Sequence, residues 1–137
     1  MRVRGPQMKS VFAILLALGF VWGCTKSGRS VPTDAQPLVG IYGNGSLEIT
    51  LLKDGSYSAR WVSDIGVRDI ASGSWLKQDD EVHLSPVHEE PDMKGYPFSV
   101  LYVRPFKGGT ALLRKEDVKY ESNPLFYLHK QPKPTND

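Results

Sequence analysis

Histidine and carboxylate side chains occur together in one irregular stretch of this sequence, His88-Glu89-Glu90. Imidazole nitrogens and carboxylate oxygens are common ligands of zinc and copper in proteins. A metal site needs several such ligands at a fixed geometry, and this spacing defines none. His83 lies between Val82 and Leu84, on the face opposite the core, and His129 ends a strand without an evident partner. We therefore expect no metal site and no cofactor.

Serine and carboxylate residues are frequent, but none has the spacing of a catalytic group. No serine lies in a Gly-x-Ser-x-Gly motif, the nucleophile turn of the α/β-hydrolases. Asp79-Asp80-Glu81 is a carboxylate run at a turn, where charged side chains are usually solvated. Glycoside hydrolysis needs two carboxyl groups facing each other across a cleft, which this run does not indicate. We expect a non-catalytic protein.

The charge of the chain does not indicate a nucleic-acid partner. Lys and Arg number 17 against 15 Asp and Glu in 137 residues. Three of these cations, Arg2, Arg4 and Lys9, lie in a segment that we expect to be removed, so 14 remain (17 minus 3). The 40% hydrophobic and 23% charged residues are ordinary for one folded domain. A single cysteine excludes an internal disulfide and a cysteine-cluster metal site.

Residues 1–23 have the pattern of a signal peptide. A basic start, with Met8 as an alternative initiation site, precedes the apolar run Val11–Trp22. This run is too short to span a hydrocarbon core of ~30 Å but suits a signal peptide. It ends in Val21-Trp22-Gly23-Cys24, which resembles the lipobox of bacterial lipoproteins. The resemblance implies cleavage after Gly23 and diacylglycerol on Cys24; the alternative is an ordinary secretory signal with an incidental cysteine.

The resemblance places the protein in the bacterial cell envelope, with the membrane as its partner through Cys24. Stable anchoring requires more than one acyl chain. Thr25 follows the cysteine where aspartate commonly signals retention in the inner membrane, which favours the outer membrane if the organism has one. Residues 24–37 then form the lipidated cysteine and a flexible tether, because Thr25–Pro37 is polar, rich in Gly, Pro and Ser, and without periodicity.

The stretch Leu47–Trp61 predicts a β-hairpin whose register can be derived. Apolar residues alternate with polar ones on both sides of Asp54-Gly55, a strong turn signal. A two-residue turn would place apolar residues opposite polar ones. A three-residue loop, Lys53-Asp54-Gly55 with Gly55 left-handed, instead pairs Leu47 with Trp61 and Glu48 with Arg60, so the pattern favours it.

Residues 38–130 form the predicted β-domain and residues 131–137 a disordered tail. A second hairpin around a four-residue loop pairs Trp75 with Val82 and Gly73 with Leu84, and Gly73 is expected at a bulge or a close backbone approach. Phe98–Phe106 predicts a further strand, and Lys115–Asn123 predicts one helical turn. Short strands joined by short turns indicate an all-β antiparallel up-and-down meander, closed or partly open.

The pattern resembles that of small bacterial lipoproteins with a lipocalin-like β-barrel, above all the N-terminal domain of the envelope-stress and copper-homeostasis lipoproteins. The residues that carry this resemblance are Gly40-x-Tyr42, Leu47-x-Ile49-x-Leu51, Asp54-Gly55-x-Tyr57, Gly73-x-Trp75 and Val82-x-Leu84. It covers about Leu38 to Leu113. The family's Cys-x-x-Cys motif is absent, so metal or redox sensing is not implied.

Two functions fit such a barrel. An eight-stranded barrel either fills with side chains or holds one small ligand. The first function is binding a small apolar or amphipathic molecule, and the second is contact with an envelope protein through the surface of a filled barrel. Both Trp61 and Trp75 are expected in the interior, and the candidate cavity lining is Tyr57, Trp61, Trp75, Phe98 and Tyr102.

Overall fold

The computed structural model describes residues 30–93 and 99–133, which form a closed eight-stranded antiparallel barrel. Each strand pairs with the next along the chain, and the last pairs with the first. The predicted all-β up-and-down barrel is confirmed. The signal segment, Cys24 and residues 134–137 lie outside the described residues. The strands are β1 (Gly40–Gly43), β2 (Leu47–Leu51), β3 (Ser56–Ser63), β4 (Gly66–Gln78), β5 (Glu81–Glu89), β6 (Val100–Phe106), β7 (Gly109–Arg114) and β8 (Tyr127–Lys130).

The β2–β3 hairpin has the predicted register. Leu47 pairs with Trp61 and Glu48 with Arg60, and the Arg60 and Glu48 side chains form an ion pair at 2.6 Å. Gly55 has a φ of 80°, the left-handed conformation that glycine adopts at little cost. The Asp54 carboxylate accepts hydrogen bonds from the backbone N–H and the hydroxyl of Ser56, which hold its pKa below the usual value. The three-residue loop is therefore confirmed.

The β4–β5 hairpin has a tighter turn than the sequence predicts. Gln78 pairs with Glu81, so only Asp79-Asp80 connect the strands, with Asp79 at a φ of 52°. Trp75 consequently pairs with Leu84, and the predicted pairing with Val82 is wrong. The register differs from the prediction by two residues. Because side chains alternate with a period of two, the same β4 residues still face inward.

Gly73 lies at a close approach of the β4 and β5 backbones. Its partner in the register is Pro86, not the predicted Leu84, because the turn is two residues shorter than predicted, and the register then shifts between Gly73 and Ser72. A Cβ atom added at Gly73 would overlap the backbone oxygen of Ser85. The predicted bulge with a close backbone approach is therefore confirmed at this residue.

The domain begins earlier than the sequence predicts. A 3₁₀ helix, Thr33–Leu38, precedes β1, and its side chains Ala35 and Leu38 are buried in the barrel core together with Val31. The Val31 N–H donates to the Lys53 carbonyl at 3.1 Å. The predicted tether is therefore wrong for its last part, from Val31 to Pro37, because apolar residues spaced along it pack into the barrel.

Both faces of the last three strands are apolar. Leu101, Leu112 and Leu128 face the barrel interior and belong to the main core. Alternate residues form a second cluster on the outer face, which consists of Ala111, Leu113 and Tyr127 with Tyr102, Phe106 and Phe126 packed against it. The segment between β7 and β8 carries two short 3₁₀ helices, Lys115–Tyr120 and Pro124–Phe126, and the first fulfils the expected helical turn.

Candidate functional site

The two ends of the barrel differ in how they are filled. At one end, which we call the plugged end, the 3₁₀ helix Thr33–Leu38 lies beside the β2–β3 and β4–β5 turns. Trp75 is 5% exposed there, and its indole N–H donates to the Leu52 carbonyl at 3.0 Å. The Tyr42 hydroxyl donates to the Leu38 carbonyl at 2.9 Å. Side chains therefore fill the barrel interior at this end. Two cavities lie near its turns, one of about 450 Å³ beside Pro32, Gly55 and Lys77 and one of about 670 Å³ beside Phe106, Lys107 and Pro132.

The opposite end, which we call the mouth, holds a cavity of about 560 Å³. It lies between the β3–β4 hairpin and the short 3₁₀ turn Pro91–Met93 that follows β5. The 3₁₀ turn Pro91–Met93 has one buried side chain at this end, Met93, whereas the longer helix Thr33–Leu38 has two buried side chains at the plugged end. The residues that line the mouth cavity are mostly apolar: Trp61, Ser63, Ile65, Gly66, Val67, Arg68, Ile70 and Met93.

A bulge between β3 and β4 shapes the wall of the mouth cavity. Ala59 pairs with Ala71 but Arg60 pairs with Asp69, so Ile70 is the extra residue. Ile70 is buried in the barrel core, as is Met93. The Glu90 N–H donates to the Ile70 carbonyl at 2.9 Å, which ties the turn Pro91–Met93 to β4. The bulge thereby turns an apolar side chain into the cavity and fixes its floor.

Trp61 lies at the mouth and not in the packed core. Its register opposite Leu47 directs it to the inner face, as predicted, but its side chain is 39% exposed. The expectation that it is buried is wrong, because the register sets the face of a strand and says nothing about the position of a residue along the barrel axis. It is the one predicted lining residue that borders the mouth cavity among those described.

Arg68 is the ionisable residue of the cavity lining. It pairs with Trp61 across β3 and β4, and its Nη2 donates to Asp92 Oδ2 at 2.8 Å. The hydrogen bond and the charge of Asp92 raise the pKa of the guanidinium. Both side chains are well exposed, at 57% and 71%, so this ion pair contributes little stability. A guanidinium has five N–H donors, and this hydrogen bond to Asp92 uses one of them.

The other predicted lining residues lie elsewhere. Tyr57 and Trp75 face inward but are buried in the filled part of the barrel. The prediction for Tyr102 is wrong, since it packs in the outer-face cluster of β6, β7 and β8. Phe98 lies outside the described residues, as do Gly23 and Cys24.

The sequence did not indicate the other seven lining residues, which are Ser63, Ile65, Gly66, Val67, Arg68, Ile70 and Met93. Ile65, Val67, Arg68 and Met93 stand in weakly patterned stretches, and Ile65 follows a turn that interrupts the alternation. Ile65 and Val67, the two apolar residues that flank Gly66 at the turn of the β3–β4 hairpin, were a signal of a binding surface. Exposed apolar side chains at such a tip often belong to a binding surface.

None of the histidines lines the mouth cavity, and they do not converge. His83 contacts Glu81 at 2.7 Å, beside the buried Val82 and Leu84, and His88 contacts Glu90 at 3.3 Å. Within residues 30–93 and 99–133, no group of three His, Cys, Asp or Glu side chains could hold a metal ion. His129 packs on the Phe106 ring with 4.6 Å between centroids.

Comparisons with known proteins give no relative. No protein-family model, no curated protein and no solved structure has a significant match to this chain. Of the helices that the structure describes, none has the length and apolar character needed to cross a membrane.

Proposed function

We propose that this chain is a membrane-anchored bacterial envelope lipoprotein, without catalytic activity, that binds a small apolar or amphipathic ligand at the mouth of its barrel. The observation that carries the ligand proposal is the mouth cavity of about 560 Å³. Binding sites for small molecules are typically concave, mostly apolar and about 300–1,000 Å³ in volume. The mouth cavity has this size and this kind of lining.

The energetics favour an apolar ligand. Ile65 is fully exposed, Trp61 and Val67 are partly exposed, and all three border the cavity. Covering apolar surface gains roughly 25 cal/mol for each Å² removed from water. Met93 and Ile70 offer an apolar floor that is already desolvated. A ligand that covers the exposed lining would therefore gain free energy without reorganising the core.

The envelope location rests on the sequence. The support is the apolar run Val11–Trp22, followed by the single cysteine of the chain at the position where a lipobox places it. Globomycin, which inhibits the lipoprotein signal peptidase, should cause the precursor to accumulate. Cys24→Ser should abolish lipid labelling and release the protein from membranes. Wild-type processing and membrane fractionation of the Cys24→Ser protein would contradict the anchor.

A surface function is the second candidate. The filled plugged end and the fully exposed Ile65 at the tip of the β3–β4 hairpin favour contact with an envelope protein. In that case the mouth lining would be the contact surface. A photo-crosslinker at residue 65 should then capture one defined partner, and the isolated protein should bind no small apolar probe.

Binding of the neutral fluorescent probe N-phenylnaphthylamine to the full chain tests the ligand proposal. We expect saturable binding that Trp61→Ala weakens, since Trp61 is the largest side chain of the lining. Tyr120→Ala is the matched control, because Tyr120 is similarly exposed but lies on the segment between β7 and β8. Absence of saturable binding, or equal loss in both variants, would contradict a ligand site at the mouth.

A further inference from the structure

We propose that the ligand of the mouth cavity is a single-chain amphiphile with an anionic head group, whose head contacts Arg68 and whose chain lies against Trp61 and Met93. This inference rests on the proposed function, because it requires that the mouth cavity binds a ligand. It adds the chemical class of that ligand and the residue that selects it.

The arrangement of the lining separates a polar rim from an apolar floor. Ile70 and Met93 are buried and belong to the core cluster, whereas Arg68 is well exposed. An amphiphile placed with its chain on the floor thus has its head group at the level of Arg68. Apolar lining with one charged group to fix orientation is the usual composition of a small-molecule site.

Arg68 has capacity for a second acceptor. Its described side-chain hydrogen bond runs from Nη2 to Asp92 Oδ2, and the guanidinium has four other N–H groups. The pair is exposed, so solvent screens it and a ligand carboxylate can share or replace Asp92 at a small cost. Guanidinium groups bind carboxylates and phosphates through planar, bidentate hydrogen bonds, which makes an anionic head the matching chemistry.

Two carboxylates, Asp92 and Glu90, lie near the Arg68 guanidinium. Both residues lie on the segment that follows β5, and the negative charge of each raises the pKa of the Arg68 guanidinium. Neither side chain lines the cavity, whereas Arg68 does. A cationic head group would therefore meet Arg68 first and be repelled. Asp92 competes with an anionic head, so its neutralisation should strengthen binding.

The test compares three ligands that share one chain. Dodecanoate, dodecanol and dodecylamine have the same number of carbon atoms and carry an anionic, a neutral and a cationic head group. The bromine of ω-bromododecanoate quenches tryptophan emission when the chain reaches Trp61. With the full chain, dodecanoate should bind more tightly than dodecanol, and dodecylamine most weakly. Arg68→Gln should weaken dodecanoate about tenfold, as expected for a hydrogen bond to a charged group, without changing the affinity for dodecanol.

Matched variants separate recognition from folding. Arg68→Lys should retain part of the preference for dodecanoate, and Asp92→Asn should strengthen it. Arg60→Gln is the control, because Arg60 also forms an ion pair on the neighbouring strand but does not line the cavity. Its affinity for dodecanoate should equal that of the wild type, and the melting temperatures of all variants serve as the check on folding.

The outcomes distinguish this inference from the proposed function. Equal affinity for dodecanoate and dodecanol, with Trp61 quenched by the brominated chain, would overturn the anionic head and leave a ligand site at the mouth. Tighter binding of dodecylamine would overturn it as well. If none of the three ligands binds, both the inference and the proposed function are wrong.

Discussion

Two tryptophans face the inside of the same barrel in very different surroundings. Trp75 on β4 is 5% exposed and donates a hydrogen bond at the plugged end, whereas Trp61 on β3 is 39% exposed at the mouth. Both are inward by register, so alternation alone does not distinguish them. The difference shows that one end of the barrel is closely packed, whereas apolar side chains at the other end are partly exposed.

The largest expected effect is on the free energy of unfolding when each tryptophan is replaced by alanine. Trp75→Ala should lower the free energy of unfolding by about 3–5 kcal/mol, the usual cost of truncating a buried aromatic side chain. Trp61→Ala should cost only about 1 kcal/mol, as for an average substitution. Urea denaturation of both variants measures this. Equal losses would mean that the mouth is packed as tightly as the plugged end.

Alkaline pH should destabilise the barrel through two buried tyrosines. Burial raises the pKa of Tyr42 to about 12, and burial with the charge of Glu89 raises that of Tyr57 to about 12. An unfolded chain releases these protons near pH ~10, so stability is complete below this pH and is lost as the pH rises through 12. The expected slope is about 1.4 kcal/mol per pH unit for each tyrosine.

Urea denaturation at several alkaline pH values would measure this slope. Tyr57→Phe removes one of the two groups and should halve it. Tyr120→Phe, on the outer segment between β7 and β8, is the comparison variant. If the free energy of unfolding falls with pH equally steeply in the wild type and in Tyr57→Phe, the burial of Tyr57 is not the cause.

The β2–β3 turn at the plugged end should tolerate substitution poorly. Gly55→Val should destabilise the protein by ~1–3 kcal/mol, because a β-branched residue at a φ of 80° is strained. Lys53→Val in the same loop is the control and lacks this positive φ. Thermal denaturation is sufficient to compare them, and an unchanged melting temperature for Gly55→Val would argue against the three-residue loop.

The smallest effect is expected on the outer surface of the strands that form the mouth. Arg60→Gln removes the exposed ion pair with Glu48, and such pairs contribute about 0–1 kcal/mol. Chemical denaturation of Arg60→Gln, Glu48→Gln and the double variant gives the coupling energy. A coupling well above 1 kcal/mol would show that this surface contributes more to stability than its exposure suggests.

The first hairpin was predictable because its turn and its alternation agree. Asp54-Gly55 marks the loop, and only one register keeps Leu47 and Trp61 on the same side. The second hairpin was predicted with the wrong loop length because Asp79-Asp80 contains no glycine, although Asp79 adopts a positive φ. The sequence therefore predicts the register of a hairpin only where the residue with a positive φ is a glycine, because the glycine also marks the turn.

The candidate site was predictable only in part, for two physical reasons. Strand β6 is apolar at successive positions, so the sequence cannot assign Tyr102 to the inner or the outer face, and the covering segment between β7 and β8 decides for the outer one. The position of a residue along the barrel axis depends on strand tilt, and its burial there depends on which end of the barrel is plugged. Trp61 was therefore assigned to the correct face and to the wrong environment.

The helix Thr33–Leu38 would also determine which end of the barrel faces a membrane to which Cys24 is anchored. The chain enters the fold at the plugged end, where Val31 is bonded to Lys53. From Cys24 to Val31 an extended chain reaches at most about 25 Å, which would hold the plugged end close to whatever anchors Cys24. With a lipid on Cys24, the plugged end would stand towards its own bilayer and the mouth would point away. The protein would then sample solutes of the compartment beyond that membrane surface, and lipids of its own bilayer would not reach the mouth directly.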